Sequence, residues 1–197
     1  MDNHLKEAKE FFDKMAPKWD TFSINNPEGV KMTVTMAGLK ENAKVADIAC
    51  GTGVLFNDIL AKKPSELWGI DISEKMLEQA AMKFKDECIH FYAGAFEDFK
   101  EKDFDCAFVY RAYPHFPDKK AFALKLHSVL KDGGRFIIAH NESRKAVNDR
   151  HAAGAAHVSD ILAPVSEEMK NFTELFDVDI TADTDYLYII SGTKIPF

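Results

Sequence analysis

DIACGTGVL, residues 47–55, sets two glycines one residue apart directly behind a short apolar run, in a chain with only 10 glycines. Glycines so placed mean that the backbone turns sharply or that something approaches it closely. Outward from this turn, KVADIA (44–49) reads as a strand and VLFNDILAKK (54–63) as its helix, stopped before Pro64. A strand, a glycine turn and a helix in that order are the opening of a parallel α/β sheet, whose ligands sit beyond the carboxyl ends of the strands.

The rhythm continues downstream. ELWGID (66–71), IHFYAG (89–94), FDCAFVY (104–110) and RFIIAH (135–140) are the next four strands. Ser73 caps a helix that buries Met76, Leu77, Ala80, Ala81 and Phe84, and Asp118 caps another that ends at Leu130 before KDGG. Residues 141–165 break the pattern with a polar, alanine-rich helical stretch, expected to be an inserted cover. SEEMKNFTELF (166–176) reads as a last helix, and FDVDITADTDYLYIISGTK as two antiparallel strands joined by a tight polar turn. Upstream, Leu5, Ala8, Phe12, Met15 and Trp19 recur at alternating spacings of three and four, an amphipathic helix that Pro17 interrupts. NNPEG (25–29) is a turn signal, after which VKMTVTMAGL resumes as a helix or loose connector. The whole is a seven-stranded α/β sheet with helices on both faces, in a single domain over residues 1–197.

The 197 residues suffice for one well-buried domain and are too few for a nucleotide-binding domain plus a full substrate domain. Lys and Arg number 25 against 32 acidic residues, a net charge of −7, which gives no electrostatic footprint for nucleic acid and favours a small-molecule substrate. The charged start and the lack of a long apolar segment lead to the expectation of a cytoplasmic protein with no membrane partner. Cys50, Cys88 and Cys106 have no CxxC spacing, as expected of reduced thiols.

Two ligand classes fit the turn, a dinucleotide and an adenosyl sulfonium. The dinucleotide fingerprint needs a third glycine three residues past the second, and that place is Phe56. Asp71, at the tip of the second strand, can accept both hydroxyls of a ribose and so suits either class. An NAD(P)-dependent oxidoreductase therefore stays as the alternative enzyme, and a non-catalytic S-adenosylmethionine-binding protein as the alternative outside enzymes.

In order along the chain, DIACGTGVL, GIDISEKML, YAGAFEDF, FDCAFVYRAYPHFPD and LKDGGRFIIA resemble the successive motifs of the class I S-adenosylmethionine-dependent methyltransferases. The resemblance covers nearly the whole chain. It implies a Rossmann-like sheet, mostly parallel with an antiparallel terminal hairpin strand, and transfer of a methyl group from S-adenosyl-L-methionine to a small-molecule acceptor. It assigns Asp47, Ala49, Cys50, Gly51, Thr52 and Gly53 to the methionine part of the cofactor, Asp71 to the ribose, and Ile72, Met76, Gly94, Ala95 and Phe96 to the adenine. Arg111 sits where the fourth strand opens onto the cofactor. Many relatives have an aspartate where this chain has Ala95, so Glu97 or Asp98 substitutes, or backbone or water meets the adenine amine. Residues 1–40 would form a helical lid, with Phe11 and Trp19 as its aromatic face.

A sulfonium methyl is already activated, so the acceptor side has few obligatory residues. His115 and Tyr113, after the fourth strand, are expected near the sulfonium, with His115 as a proton acceptor or as packing between Pro114 and Pro117. If 143–153 is helical, Arg144, Asn148 and His151 share one face and could line the pocket; a solvated helix surface is the alternative. This stretch also resembles a subgroup of small methyltransferases with a similar His, Ser-Arg, Asn, His pattern after the fifth strand. His140, Asn148 and His151 join His115 as catalytic candidates. His140, His151 and His157 match no standard metal-ligand spacing, so no metal is expected.

Overall fold

The computed structural model describes residues 3–22 and 26–196. Its seven strands are β1 (Lys44–Ile48), β2 (Glu66–Asp71), β3 (Ile89–Ala93), β4 (Phe104–Tyr110), β5 (Leu130–His140), β6 (Phe176–Asp183) and β7 (Tyr188–Lys194). They form one sheet in the order β3-β2-β1-β4-β5-β7-β6. β1 to β5 run parallel, and β7 lies antiparallel to both β5 and β6.

Central strands are apolar throughout because both of their faces are covered. Successive residues alternate between two cores: Ala46, Ile48, Val109, Phe136 and Ile138 join one, while Val45, Phe108, Tyr110, Ile137 and Ala139 join the other. The edge strand β6 instead alternates between more buried and more exposed residues, as a strand with one wet face does.

Eight helices surround the sheet: α1 (Asn3–Met15), α2 (Trp19–Phe22), α3 (Pro27–Met36), α4 (Phe56–Leu60), α5 (Glu74–Lys83), α6 (Lys119–Val129), α7 (Arg144–Gly154) and α8 (Val165–Glu168), among the described residues. α6 and α7 bury Phe122, Leu126 and Val147 on one face of the sheet, and α3, α4 and α5 bury Val34, Phe56 and Leu77 on the other. Caps are side-chain bonds: Ser73 accepts from Met76 N, Asp118 from Ala121 N, and Ser143 from Ala146 N. Pro17 falls in a 3-10 turn, Ala16–Lys18, that separates α1 from α2.

Two helices are shorter than the sequence implies. α4 is confined to Phe56–Leu60 because tight turns flank it, with Phe56 N bonded to Gly53 O before it and Lys62 N and Lys63 N to Ile59 O and Leu60 O after it. Residues 166–176 give only α8 and a 3-10 turn, Met169–Asn171, before β6 begins at Phe176. Phe172 and Phe176 are both drawn into the core. β5 starts earlier than expected, at Leu130, with a register shift opposite Phe104 and Cys106 that takes up KDGG inside the strand.

β1 leads outward to β2 and β3, and the chain then returns to place β4 on the other side of β1. The switch point between β1 and β4 is where a crevice opens.

Candidate functional site

A cavity lies at that switch point, above the carboxyl ends of β1, β2 and β4. About 1170 Å³ of space lies between its protein atoms, part of it open to solvent. Its floor is the glycine turn. Ala49 (φ 54°), Gly51 (φ 55°) and Gly53 (φ 83°) are all left-handed, and this reverses the chain within five residues.

Gly51 and Gly53 serve different ends. Gly51 lines the cavity and donates its N–H to Asp71 Oδ2 at 2.8 Å. Gly53 does not line it: a Cβ there would stand 2.9 Å from the Phe84 ring, so this glycine serves the turn and its packing on α5. Phe56, where a dinucleotide fold has its third glycine, is fully buried, and the vacancy is made on the strand instead. A Cβ at Gly69 on β2 would lie 2.8 Å from Phe56 Cζ.

Asp71 lines the cavity with both oxygens engaged, Oδ2 by Gly51 N–H and Oδ1 by Ser73 N–H at 2.8 Å. Burial pushes its carboxyl up to about 6 against the lowering effect of these two bonds. Each oxygen keeps a lone pair for a further donor. Asp47 lies outside the cavity wall, and neither of its buried oxygens has a hydrogen-bond partner among the described residues. Burial, and then the nearby Asp71, push its carboxyl well above the usual range.

Ala49, Cys50 and Thr52 line the floor beside Gly51; Ile72, Met76, Gly94, Ala95 and Phe96 line the side wall, with Glu97 beyond them. Asp98 is absent from that wall. The roof comes from α1 and α2, which present Leu5, Ala8, Phe12 and Trp19. Phe12 thus stands where Phe11 was expected, and the Phe11 ring turns away onto His157 at 5.5 Å. Two aspartates that the sequence reading passed over fix the roof. Asp20 Oδ1 accepts from Thr52 Oγ1 at 2.5 Å, and Asp13 Oδ1 from Ser73 Oγ at 2.7 Å, so the first helices are tied to the turns after both β1 and β2.

Directly after β4 comes Arg111, a non-glycine residue held at φ 59°. The 3-10 turn Tyr113–His115 follows, and here the two aromatic candidates separate. Tyr113 points into the core, fully buried, and donates to Glu168 Oε2 at 2.9 Å. His115 lines the cavity, with its ring 5.1 Å from that of His151 and 5.0 Å from that of Phe12. Its Nδ1 donates to Val158 O at 2.8 Å, which leaves Nε2 as the nitrogen with a lone pair. Burial lowers His115 to about 4 and, together with the Arg150 charge, His151 to about 4, so both rings are neutral near pH 7.

The expected face of α7 exists, but its residues reach three different places. Arg144 pairs with Asp183 at 2.9 Å on the hairpin, Asn148 bonds both backbone groups of Leu162, and only His151 reaches the cavity. A helix rises about 1.5 Å per residue, so a face seven residues long spans about 10 Å and several neighbours. His140 is fully buried outside the cavity wall, with neither ring nitrogen bonded among the described residues; burial holds its pKa well below the ordinary value. Arg150 and Tyr110 do line the cavity, and Arg150 was legible only as the neighbour of His151. No group of three or more His, Cys, Asp or Glu side chains among the described residues could hold a metal ion. No helix among them is long and apolar enough to cross a membrane.

A family profile described as a methyltransferase domain matches residues 45–134, the stretch from β1 into β5. A demethylmenaquinone methyltransferase of Thermotoga maritima is 31% identical over 141 residues, 68% of this chain and 61% of the relative. The chain spans 61% to 63% of the length of this relative and two others, a second demethylmenaquinone methyltransferase and a carboxy-S-adenosyl-L-methionine synthase. Among solved structures, a putative methyltransferase of Haloferax volcanii, in complex with the Trm112 methyltransferase activator, superposes with a TM-score of 0.81 at 18% identity, over 96% of this chain and 98% of that one. The magnesium protoporphyrin IX methyltransferase of Synechocystis PCC 6803, with S-adenosylhomocysteine bound, gives 0.75 at 16% identity over 96% and 99%. At these identities the two structures share the fold.

Proposed function

We propose that the chain is a class I S-adenosylmethionine-dependent methyltransferase, which its match to a methyltransferase-domain profile and its curated relatives support, and that it transfers a methyl group from S-adenosylmethionine to a small-molecule acceptor. The observation that carries the reading is the Asp71 carboxylate, set in the cavity wall by Gly51 and Ser73 N–H groups with one lone pair left on each oxygen. That geometry suits a pair of ribose hydroxyls. In this reading the turn at Ala49–Thr52 meets the methionine end, and Ile72, Met76 and Gly94–Phe96, which line the same cavity, meet the adenine.

Bound there, S-adenosylmethionine supplies a methyl group already activated by its sulfonium. This chain's own residues have the simpler tasks of holding the acceptor in line, excluding water and taking a proton. Phe12 and Trp19 in the roof exclude water. The lone pair of His115 Nε2 orients an acceptor O–H, and it need only take a proton that methylation of the oxygen makes strongly acidic. Neutral imidazoles at this place also avoid repelling a cationic cofactor.

The reading includes one domain over 1–197, with 1–40 as lid and 141–165 as cover, in a cytoplasmic protein with no nucleic-acid partner. The net charge of −7 supports the last point. The Phe56 ring over Gly69 counts against the dinucleotide alternative, because it fills the close helix-to-strand approach of that fold. Calorimetric titration with S-adenosylhomocysteine and with NAD tests the proposal: micromolar binding of the former and none of the latter is expected, and the reverse would overturn it.

A further inference from the structure

The ring of His115 stands in the cavity wall on a single 3-10 turn, Tyr113–His115. Around it the backbone closes two bonds, His115 N to Ala112 O at 2.9 Å and Phe116 N to Tyr113 O at 3.2 Å. One such turn is a weak support for a ring that has to point one way, because 3-10 bonds are geometrically poor and no second turn reinforces them. Its carbonyls are met from outside. Lys119 Nζ donates to Tyr113 O at 2.9 Å and to Phe116 O at 2.6 Å, one carbonyl on each side of His115, and Asp160 N donates to Pro114 O at 2.9 Å. Lys119 opens α6, where a cation meets the positive end of the helix dipole, so the helix gains nothing from it. Its ammonium instead doubles back to the carbonyls that end the preceding turn, where a cation is favoured, and stands 4.4 Å from the centre of the Tyr113 ring. That ring is fully buried and its hydroxyl donates to Glu168 Oε2 at 2.9 Å, so the brace has a fixed base. Lys119 is absent from the cavity wall, whereas Ala112, His115 and Phe116, on the segment it holds, are part of it.

We propose that Lys119 is a positioning residue for the acceptor end: by bonding Tyr113 O and Phe116 O it fixes the turn so that His115 Nδ1 stays on Val158 O and Nε2 keeps its lone pair. The inference deepens the methyltransferase reading and rests on it, since that reading gives the lone pair its task. Ser159 Oγ lies 3.1 Å from the same Nδ1. A turn that shifts takes Nδ1 off the Val158 carbonyl, and the imidazole proton is then free to move to Nε2, which removes the lone pair.

The ring is read directly, in the full chain labelled with nitrogen-15 at histidine and lysine. Long-range proton–nitrogen correlation near neutral pH reports the tautomer of His115, whose signals are those lost in His115→Asn. Wild type should show the Nδ1–H form alone, and Lys119 ammonium protons that exchange with water about tenfold or more slowly than those of exposed lysines. Lys119→Met, which keeps the apolar stem over Tyr113 without the donors, should populate both tautomers while affinity for S-adenosylhomocysteine stays within about twofold. A lysine that only stabilised the fold would leave the tautomer unchanged. An unchanged Nδ1–H form in Lys119→Met, or ammonium exchange as fast as in exposed lysines, would overturn the proposal. Should thermal unfolding show that Lys119→Met is not folded, Lys119→Gln, whose shorter side chain falls short of the two carbonyls, is read in its place with the same outcomes. Wild type that fails to bind S-adenosylhomocysteine, with the tautomer responding as stated, would sink the methyltransferase reading and not the positioning role.

Discussion

His115 donates its Nδ1 proton to the carbonyl of Val158 at 2.8 Å, across 43 residues of sequence. A carbonyl only accepts, so this bond fixes the tautomer and assigns the lone pair to Nε2. Burial holds the ring at about 4 against an ordinary 6.5. As pH falls below 6.5 the unfolded chain takes up a proton there that the folded chain refuses, and stability is lost until the pH nears 4. His115→Asn should therefore lose less stability than the wild type between pH 7 and pH 4.5, by on the order of 2 kcal/mol in urea denaturation. Parallel curves would show that the ring is not held neutral. With an acceptor in hand, the same variant should be slower by about 100-fold or more.

Asp71 has the opposite sign. Its carboxyl is raised to about 6, so it is protonated below that pH, and one of its oxygens then stops accepting. Affinity for S-adenosylhomocysteine should fall as pH drops from 7 to 5. Asp71→Asn should bind about tenfold or more weakly and with a flat pH profile over that range. A variant that binds normally would remove Asp71 from the ribose.

Asn148 clamps the loop that carries Val158, giving 3.0 Å from Nδ2 to Leu162 O and 2.8 Å from Leu162 N to Oδ1. Asn148→Ala leaves both Leu162 groups without these partners, at a cost of about 1–3 kcal/mol. Hydrogen exchange should quicken over 155–163 while affinity for S-adenosylhomocysteine stays the same. Unchanged exchange in that loop would refute the clamp.

Gly69→Ala would set a Cβ 2.8 Å from Phe56 Cζ and 3.1 Å from Cys50 Sγ, and the overpacking should cost about 1–3 kcal/mol. Phe56→Leu should recover part of that loss in the double variant, because the two positions share one space. Strict additivity in denaturant unfolding would mean that the ring and the glycine are independent.

The strands, the caps and the glycine turn were legible because their causes are local. β2 and β4 coincide with ELWGID and FDCAFVY because a strand covered on both faces must be apolar along its length. Ser73 and Asp118 cap helices through bonds to residues three positions away, and the left-handed turn at 49–53 needs its glycines wherever the chain goes next. The cavity floor and side wall followed, since they are built from the ends of those strands.

The acceptor end was not legible in the same way. Phe11 and Phe12 are neighbours, as are Arg150 and His151, and Tyr113 stands two residues from His115. Nothing in residue type told which ring of each aromatic pair would reach the cavity, or that Arg150 would join His151 there. The docking angle of α1 chose Phe12, a buried bond to Glu168 drew Tyr113 into the core, and the span of α7 across three neighbours left only its Arg150 and His151 end at the cavity. By itself the sequence determined a sheet with an adenosine-type seat, because periodicity and turn chemistry act over a few residues. Only the tertiary structure decided which side chains face the acceptor, because that depends on how elements far apart in sequence pack against one another.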